Sequence, residues 1–307
     1  MLLNCHSFFS LRYGLIPEEE LLALGQANGY RAMVLTDINN TSGCLNFVRM
    51  APRYGIRPLL GIDFRNGIQQ QYIAIAKNNT GFQELNGFLS THLHLKKEIP
   101  NQAPKFLNAL VIYPFEKLLK MEKVTFESHE YIGITLGDLR KIQFSRLYQS
   151  KDRFVVLHPV SFRTKKDFNA HRLLRAVEEN TLLQKLTIFD TASESEQIIP
   201  FEVLKHHFKD YPEVIYNTEK LLERCEIQFD FGENRQHQNL KVYGKSAQED
   251  YEKIRSLSYN ALGYRYGQDV NDTILDRIAM ELELIRQQDF VPFFLVNHDI
   301  VSYARHK

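Results

Sequence analysis

Short apolar runs alternate with helical patterns along the first two-thirds of the chain. The apolar runs are rich in β-branched and aromatic residues, and each is bounded by turn residues. Strands alternating with helices predict an α/β fold with a largely parallel sheet. This many units fit a closed barrel better than an open sheet, although periodicity alone does not separate the two. The predicted strands cover residues 2–3, 32–36, 58–64, 71–76, 109–115, 131–135 and 154–160.

Helix signals occupy the segments between these strands. Pro17 stands at a first helical position, three glutamates follow it, and Gly29 stands where the helix should end. Proline, acidic residues and glycine at these places are typical of a helix start, of the positive end of its dipole and of its end. Further helices are predicted near residues 45–50, 82–93, 166–179, 201–208 and 218–225.

The last quarter of the chain has a different pattern. A polar, turn-rich stretch predicts a linker, and the residues after it are helical up to about residue 266. Thr273 and Asp276 resemble a capping box at the start of another helix. A final apolar stretch from Phe293 predicts a helix that is still unfinished at Lys307. The domain boundaries predicted from these changes are 1–231, a linker at 232–245, and a truncated helical segment at 246–307.

Composition narrows the class of protein. Apolar residues make up 44% of the 307 residues and charged residues 24%, as in an ordinary globular protein. The net charge is +1 without a basic stripe, so composition gives no indication of nucleic-acid binding. Three widely separated cysteines match no zinc motif. Neither a membrane span nor a secretory signal is visible, and we therefore expect a reduced, cytoplasmic protein.

Four residues at predicted strand ends are candidates for metal chemistry: His6, Asp37, Asp63 and His158. In a barrel of parallel strands, these ends meet at one mouth. Imidazole nitrogens and carboxylate oxygens hold Zn²⁺, Mn²⁺ or Fe²⁺ and activate water. Taken singly, an Asp after a strand is more often a turn residue, and a lone His more often a satisfied polar group. Elsewhere, the spacing of Asp167 and His171 predicts a surface pair on one helix face.

Three early segments together resemble the PHP domain, the polymerase and histidinol phosphatase domain. They are LNCHSFFSLRYG, VLTDINN and YGIRPLLGIDF, and their order is similar to the form that opens bacterial DNA polymerase III alpha subunits and their error-prone relatives. The opening asparagine and TDINN resemble the Bacteroidetes type. The tail, YNTEKLLERC through ELELIRQQDFVPFFLVNHDIVSYAR, resembles the passage into the polymerase palm. The implied fold is a distorted (β/α)7-like PHP barrel, followed by a mainly α-helical segment that leads into the palm.

The resemblance also implies a decayed metal site. Active members of the family hold metal clusters with His, Asp, Glu and Cys ligands. Here Asn4 replaces the first histidine, Ile38 replaces the histidine after Thr-Asp, and Pro159 and Ser161 stand where the closing strand has Asp and His. Only His6, Asp37 and Asp63 remain, with His158 beside the right place. We therefore expect no catalytic residue and no cofactor in this piece, with at most one weakly bound divalent metal.

The expected function follows from the same resemblance. The parent chain is expected to be a DNA-directed DNA polymerase, a nucleotidyltransferase of DNA replication, whose Mg²⁺-binding carboxylates lie in the palm beyond Lys307. This piece is then a structural and docking module. Its implied partners are the palm and thumb, a proofreading exonuclease subunit, the sliding clamp loader assembly, and DNA through the parent chain. The alternative is a metal-dependent 3′–5′ proofreading exonuclease or phosphoesterase built on the remaining ligands.

Overall fold

The computed structural model describes residues 1–121, 125–231 and 240–307. The chain divides into two compact units, Met1–Phe231 and Gly232–Lys307. Most of the predicted linker, residues 232–239, lies outside the described residues, and residues 240–245 form neither helix nor strand.

The first unit is built on one mixed sheet, in which the strand order is β7-β6-β5-β4-β3-β2-β1-β8. Strand β4 pairs antiparallel with β3 and with β5. The other strand pairings of the sheet within the described residues are parallel. The strands are β1 (Leu2–Cys5), β2 (Ala32–Leu35), β3 (Arg57–Asn66), β4 (Gln69–Ala76), β5 (Ala109–Pro114), β6 (Glu130–Ile134), β7 (Phe154–Val156) and β8 (Pro159–Val160).

The two edges of the sheet are consecutive in the chain. Strands β7 and β8 are separated only by Leu157 and His158, yet β7 pairs with β6 and β8 pairs with β1. The sheet therefore curls until both of its edges reach the same segment, as expected of a barrel. The prediction of one continuous strand over 154–160 was wrong, because the chain crosses from one edge to the other in its middle.

Strands β3 and β4 form an antiparallel hairpin, whereas the sequence pattern predicted only two strands of a largely parallel sheet. Gly67 and Ile68 connect them, and Gly67 has φ +57°, a conformation that glycine adopts at little steric cost. The hairpin matters for the site because it brings Gln70 opposite Arg65, with a register irregularity next to Arg65.

Helices pack against the sheet. The helices of the first unit are α1 (Glu18–Ala27), α2 (Cys44–Met50), α3 (Asn79–Leu95), α4 (Phe115–Leu119), α5 (Lys165–Glu178), α6 (Phe201–His207) and α7 (Pro212–Glu223). Short 3₁₀ segments occupy Ala51–Tyr54, Ile142–Phe144, Arg146–Arg153 and Leu183–Lys185.

The alternation of side chains along each strand separates two apolar layers. Leu60, Ile62 and Phe64 of β3 pack in the cluster that includes the covering helices, whereas Leu59 belongs to a second cluster that also draws residues from other strands and from α7. Because side chains alternate across a sheet, Asp63 and Arg65 share the face of Leu59. That inner face is apolar toward α7 and polar at its other end.

The second unit is helical. Its core contains Ile254, Leu282, Val291 and Leu295. Its helices are α8 (Ala247–Asn260), α9 (Leu262–Tyr266), α10 (Asp272–Gln287) and α11 (Val291–His306). The predicted start of α10 was misplaced, because the cap is Asn271, whose side chain accepts a hydrogen bond from the Ile274 N–H at 3.2 Å. In the described parts of the chain, no helix has both the length and the apolar character needed to cross a membrane.

Candidate functional site

The structure brings together two of the four candidate ligands at the mouth of the curled sheet. His6 follows β1 and Asp63 lies in β3, and the His6 Nε2 atom is 3.0 Å from Asp63 Oδ2. Both side chains are fully buried. Asp37, directly after β2, and His158, between β7 and β8, have their hydrogen bonds elsewhere.

Asp63 is engaged mainly by its own hairpin. Arg65 Nε and Nη2 donate to Asp63 Oδ2 at 3.0 and 2.7 Å. Gln70 Nε2 donates to the same oxygen at 2.8 Å. With His6, three side chains therefore contact one carboxylate oxygen. The other oxygen of Asp63, Oδ1, is buried and has no hydrogen-bond partner within the structure.

Arg65 is the cation of this site. Its guanidinium lies over the Tyr13 ring, 4.7 Å from the ring centroid, and its side chain is 6% exposed. Burial by itself disfavours an ionised Asp63, but Arg65 and then His6 outweigh that effect and hold the pKa of Asp63 well below its ordinary range. The buried pair is therefore charged on both sides.

A hydrogen-bonded chain continues from His6 on its other side. Ser161 Oγ donates its proton to Glu196 Oε2 at 2.6 Å, and His6 Nδ1 lies 2.8 Å from the same hydroxyl oxygen. His6 therefore lies between two acidic side chains: Asp63 contacts Nε2 directly, and Glu196 is reached from Nδ1 through the Ser161 hydroxyl.

Asp37 anchors the loop over residues 7–14 through hydrogen bonds to its carboxylate. The Ser7 N–H and hydroxyl donate to it at 2.7 Å each, and the Ser10 hydroxyl donates at 2.6 Å. Burial raises the pKa of Asp37, against the opposing effect of these hydrogen bonds. The Ser10 hydroxyl oxygen also accepts the Ile38 N–H at 3.0 Å. Asp37 is therefore a loop-anchoring carboxylate.

His158 and Asn4 also have partners within the fold. His158 Nε2 lies 2.8 Å from the Gln197 carbonyl oxygen and donates to it, and burial lowers the pKa of His158. Asn4, which stands in the place of the family's first histidine, accepts the Thr36 hydroxyl at 2.8 Å. The hydrogen-bond partners of these two side chains are therefore other than His6 and Asp63.

His171 is part of this architecture, although its sequence position predicted a surface pair with Asp167. That prediction was wrong: His171 is fully buried, and Asp167 binds Arg163. His171 Nδ1 donates to the Tyr13 carbonyl oxygen, and Nε2 accepts the Ala192 N–H, both at 2.9 Å. His171 therefore holds Tyr13, the ring beneath the Arg65 guanidinium.

A cavity of about 530 Å³ opens at this mouth. Arg65 and Gln70 contribute to its wall, together with Asn4, Tyr13 and Glu196. No three or more His, Cys, Asp or Glu side chains within the described residues are arranged to hold a metal ion. A catalytic zinc usually has three protein ligands and a water. The residues at the mouth therefore do not fit the metal cluster that active PHP domains hold.

Sequence reasoning missed most of the residues that define this site. Arg65, Gln70, Ser161, Glu196 and Tyr13 were not among the candidates. One signal was available for Arg65, which is two residues from Asp63 and directly follows the predicted strand 58–64: a strand one residue longer places both side chains on one face. Glu196 lies in an irregular segment, and nothing in its local pattern links it to Ser161.

Comparison with known proteins gives the family. Residues 3–155 match the family model described as the PHP domain. Residues 252–307 match the model described as the bacterial DNA polymerase III alpha NTPase domain. An error-prone DNA polymerase of Symbiobacterium thermophilum is 26% identical over 99% of this chain and 32% of its own length.

Two further relatives are DNA polymerase III alpha subunits. The one from Buchnera aphidicola is 22% identical and the one from Bacillus subtilis is 25% identical, each over 99% of this chain and 30% of its own length. This chain thus spans about a third of the length of the curated relatives it matches. Both parts of the resemblance read from the sequence are confirmed, and the chain belongs to the PHP-domain family in the form found in the N-terminal part of bacterial DNA polymerase III alpha subunits.

Proposed function

We propose that this chain is the N-terminal module of a DNA-directed DNA polymerase, and that its PHP domain serves as a scaffold and not as a hydrolase. The matches to an error-prone DNA polymerase and to two DNA polymerase III alpha subunits, each over nearly the whole chain, support the first part. The state of Asp63 supports the second. Its Oδ2 atom already accepts from Arg65 and Gln70 and contacts His6, so this oxygen has no room for a metal ion.

Polymerisation itself belongs to the longer protein in this proposal. Two metal ions held by carboxylates stabilise the attacking and leaving oxygens in nucleotidyl transfer. We place those carboxylates and their Mg²⁺ in a palm outside this chain, which itself holds no catalytic residue for the reaction. Such a protein works in the cytoplasm, on DNA.

The proposed scaffold supports the palm and thumb. Several large apolar side chains of α11 are exposed, among them Phe293 at 60%, Ile300 at 60% and Tyr303 at 67%. Exposed apolar clusters of this kind usually mark an interaction surface. A proofreading exonuclease subunit and the clamp loader assembly are the further partners that we propose for the whole protein.

A hydrolysis assay tests the scaffold role. The purified chain is incubated with 3′-labelled single-stranded DNA and with p-nitrophenyl phosphate, in the presence of Mg²⁺, Mn²⁺ or Zn²⁺. We expect the same background rate from the wild-type chain and from His6→Ala and Asp63→Asn variants. Asp152→Asn, at an exposed acidic residue of the same unit, serves as the matched control.

The competing function is a metal-dependent 3′–5′ exonuclease or phosphoesterase. The unpartnered Oδ1 of Asp63 beside His6 is the observation in its favour. Metal-stimulated cleavage that His6→Ala and Asp63→Asn abolish, and that Asp152→Asn leaves intact, would establish this function and end the scaffold proposal. Primer extension by the native full-length protein tests the polymerase part separately, and its absence with Mg²⁺ and a primed template would contradict that part.

A further inference from the structure

The position of Arg65 accounts for the occupied state of the candidate metal site. Asp63 and Arg65 are two residues apart on β3, so both side chains lie on the inner face of the sheet. Gln70 reaches the same oxygen from the opposite strand of the hairpin. One hairpin therefore supplies a carboxylate, a cation and an amide donor to one place.

A divalent ion on the same oxygen is sterically and electrostatically incompatible with this arrangement. Metal–carboxylate distances are about 2.0–2.2 Å for zinc. The Arg65 Nη2, Gln70 Nε2 and His6 Nε2 atoms lie 2.7, 2.8 and 3.0 Å from Asp63 Oδ2, and each directs a proton at it. These donor groups occupy the space that the ion would need, and the Arg65 guanidinium carries a positive charge that repels it.

Arginine suits this place better than lysine does. Its guanidinium is planar and stays charged in the interior, and it can bind a carboxylate and stack on a ring at the same time. Arg65 does both, since it donates twice to Asp63 and lies over the Tyr13 ring. His171 holds the Tyr13 backbone from below, so the stacking platform is itself fixed.

We propose that the Arg65 guanidinium is the resident cation of the barrel mouth, a covalently attached substitute for a metal ion, and that removing it opens a divalent-cation site on His6 and Asp63. The arrangement keeps the charge balance that the buried carboxylate requires without an exchangeable ion. The inference concerns the site of the proposed scaffold function, but it rests on ion binding and stability, and not on hydrolysis or on polymerisation.

The test compares the full chain with Arg65→Ala and Arg65→Gln, using Mn²⁺ as the probe because imidazole and carboxylate ligands suit it. The wild-type chain should bind no Mn²⁺ after equilibrium dialysis, and neither Mn²⁺ nor EDTA should shift its unfolding midpoint. Both variants should lose about 10 °C in the midpoint of the first unit, since a buried carboxylate is left without its partner. Both should bind about one equivalent of Mn²⁺, which restores part of the loss.

Two controls make the result specific. Arg163→Ala also removes a carboxylate-bound guanidinium, which in this case pairs with Asp167 and Glu20 and whose side chain is 35% exposed. It should shift the midpoint only slightly and bind no Mn²⁺. Adding His6→Ala to Arg65→Gln should abolish the new Mn²⁺ site.

The outcomes are decisive in each direction. Stoichiometric Mn²⁺ in the wild-type chain, or an unchanged midpoint in both Arg65 variants, would overturn the inference. Folded variants that bind no Mn²⁺ would overturn it as well. If the variants do not fold alone, folding in millimolar Mn²⁺ supports the inference and failure to fold there refutes it. Hydrolysis by the wild-type chain would refute the scaffold function and leave these binding outcomes to be judged separately.

Discussion

Gly14 fixes the loop whose hydroxyls hold Asp37. A Cβ atom at this position would lie 2.0 Å from the Ser7 carbonyl oxygen. We expect Gly14→Ala to lower the free energy of unfolding by about 2–3 kcal/mol, because the backbone of the loop must shift to relieve the overlap. Urea denaturation of the purified variant measures this loss.

Gly87, in the middle of α3, is the matched control. Apart from its chain neighbours and the adjacent backbone of its own helix, nothing lies within 4 Å of a Cβ built there, so alanine adds helix propensity without a clash. We expect Gly87→Ala to raise the free energy of unfolding by about 0.5–1 kcal/mol. Equal stabilities for the two alanine variants would show that the Gly14 contact is not a structural requirement.

His171 gives the fold a defined pH dependence. Burial lowers its pKa from the ordinary value of 6.5, and only its hydrogen bond to the Tyr13 carbonyl and the charge of Glu196 oppose that effect. Phe162 and Phe168 pack on the ring, and Arg175 and Arg65 add like charge. A proton on Nε2 would also face the Ala192 N–H. The folded state therefore keeps a neutral ring.

The sign of the effect follows from this depressed pKa. As the pH falls below about 6.5, the unfolded chain takes up a proton that the folded state refuses, so the unfolding free energy decreases by up to about 1.4 kcal/mol per pH unit for one such group. The loss ends once the pH passes below the folded-state pKa. Urea denaturation between pH 8 and 5 measures the slope. His171→Gln should have a shallower slope, and an unchanged slope would contradict this assignment.

The sequence identified which strand ends carry polar groups, but not how those groups pair. His6 and Asp63 meet at the mouth, whereas Asp37 and His158 are taken by Ser7 and Gln197. The two pairs of candidates differ in what lies next to them. A nearby hydroxyl or carbonyl group can form the hydrogen bond that a buried Asp or His needs, and the side chain then needs no metal ion. Strand periodicity contains no information about such partners.

Elements were predicted better than their connections. The helical signals at Pro17 and Gly29 locate α1 closely, since capping and dipole effects are local. The segment 154–160 was predicted as one strand because every position except His158 is apolar. In the structure it is divided in two, since β7 pairs with β6 and β8 pairs with β1. The β3–β4 hairpin was missed because Gly67 was not recognised as a turn residue between the two strands.

The stability of the second unit depends on the face of α10 that packs in its core. Leu282 is 5% exposed and packs with Ile254, Val291 and Leu295. We expect Leu282→Ala to lower the unfolding free energy of this unit by about 2–3 kcal/mol through lost burial and a residual cavity. Leu284 on the same helix is 55% exposed, and Leu284→Ala should change stability by less than about 0.5 kcal/mol. Far-ultraviolet circular dichroism in urea measures both, and comparable losses would mean that Leu282 is not a core residue.

At the scale of the whole molecule, the apolar clusters follow the division of the chain into Met1–Phe231 and Gly232–Lys307. Among the described residues, the members of the large clusters of the first unit lie between Met1 and Phe229, and those of the cluster around Leu282 lie between Tyr243 and Leu295. Cooperative unfolding follows shared burial, so separate cores favour separate transitions. The first unit buries far more apolar side chains than the second and should be the more stable of the two.

We therefore expect two transitions in a thermal or urea unfolding experiment on residues 1–307, and a single transition for residues 1–231 at the position of the more stable one. The variants already described assign the transitions: Gly14→Ala should move only the transition retained in 1–231, and Leu282→Ala only the other. The physical reason is that each substitution acts within the core or loop of its own unit. One transition that both substitutions shift equally would show that the chain folds as one cooperative body, whatever its clusters suggest.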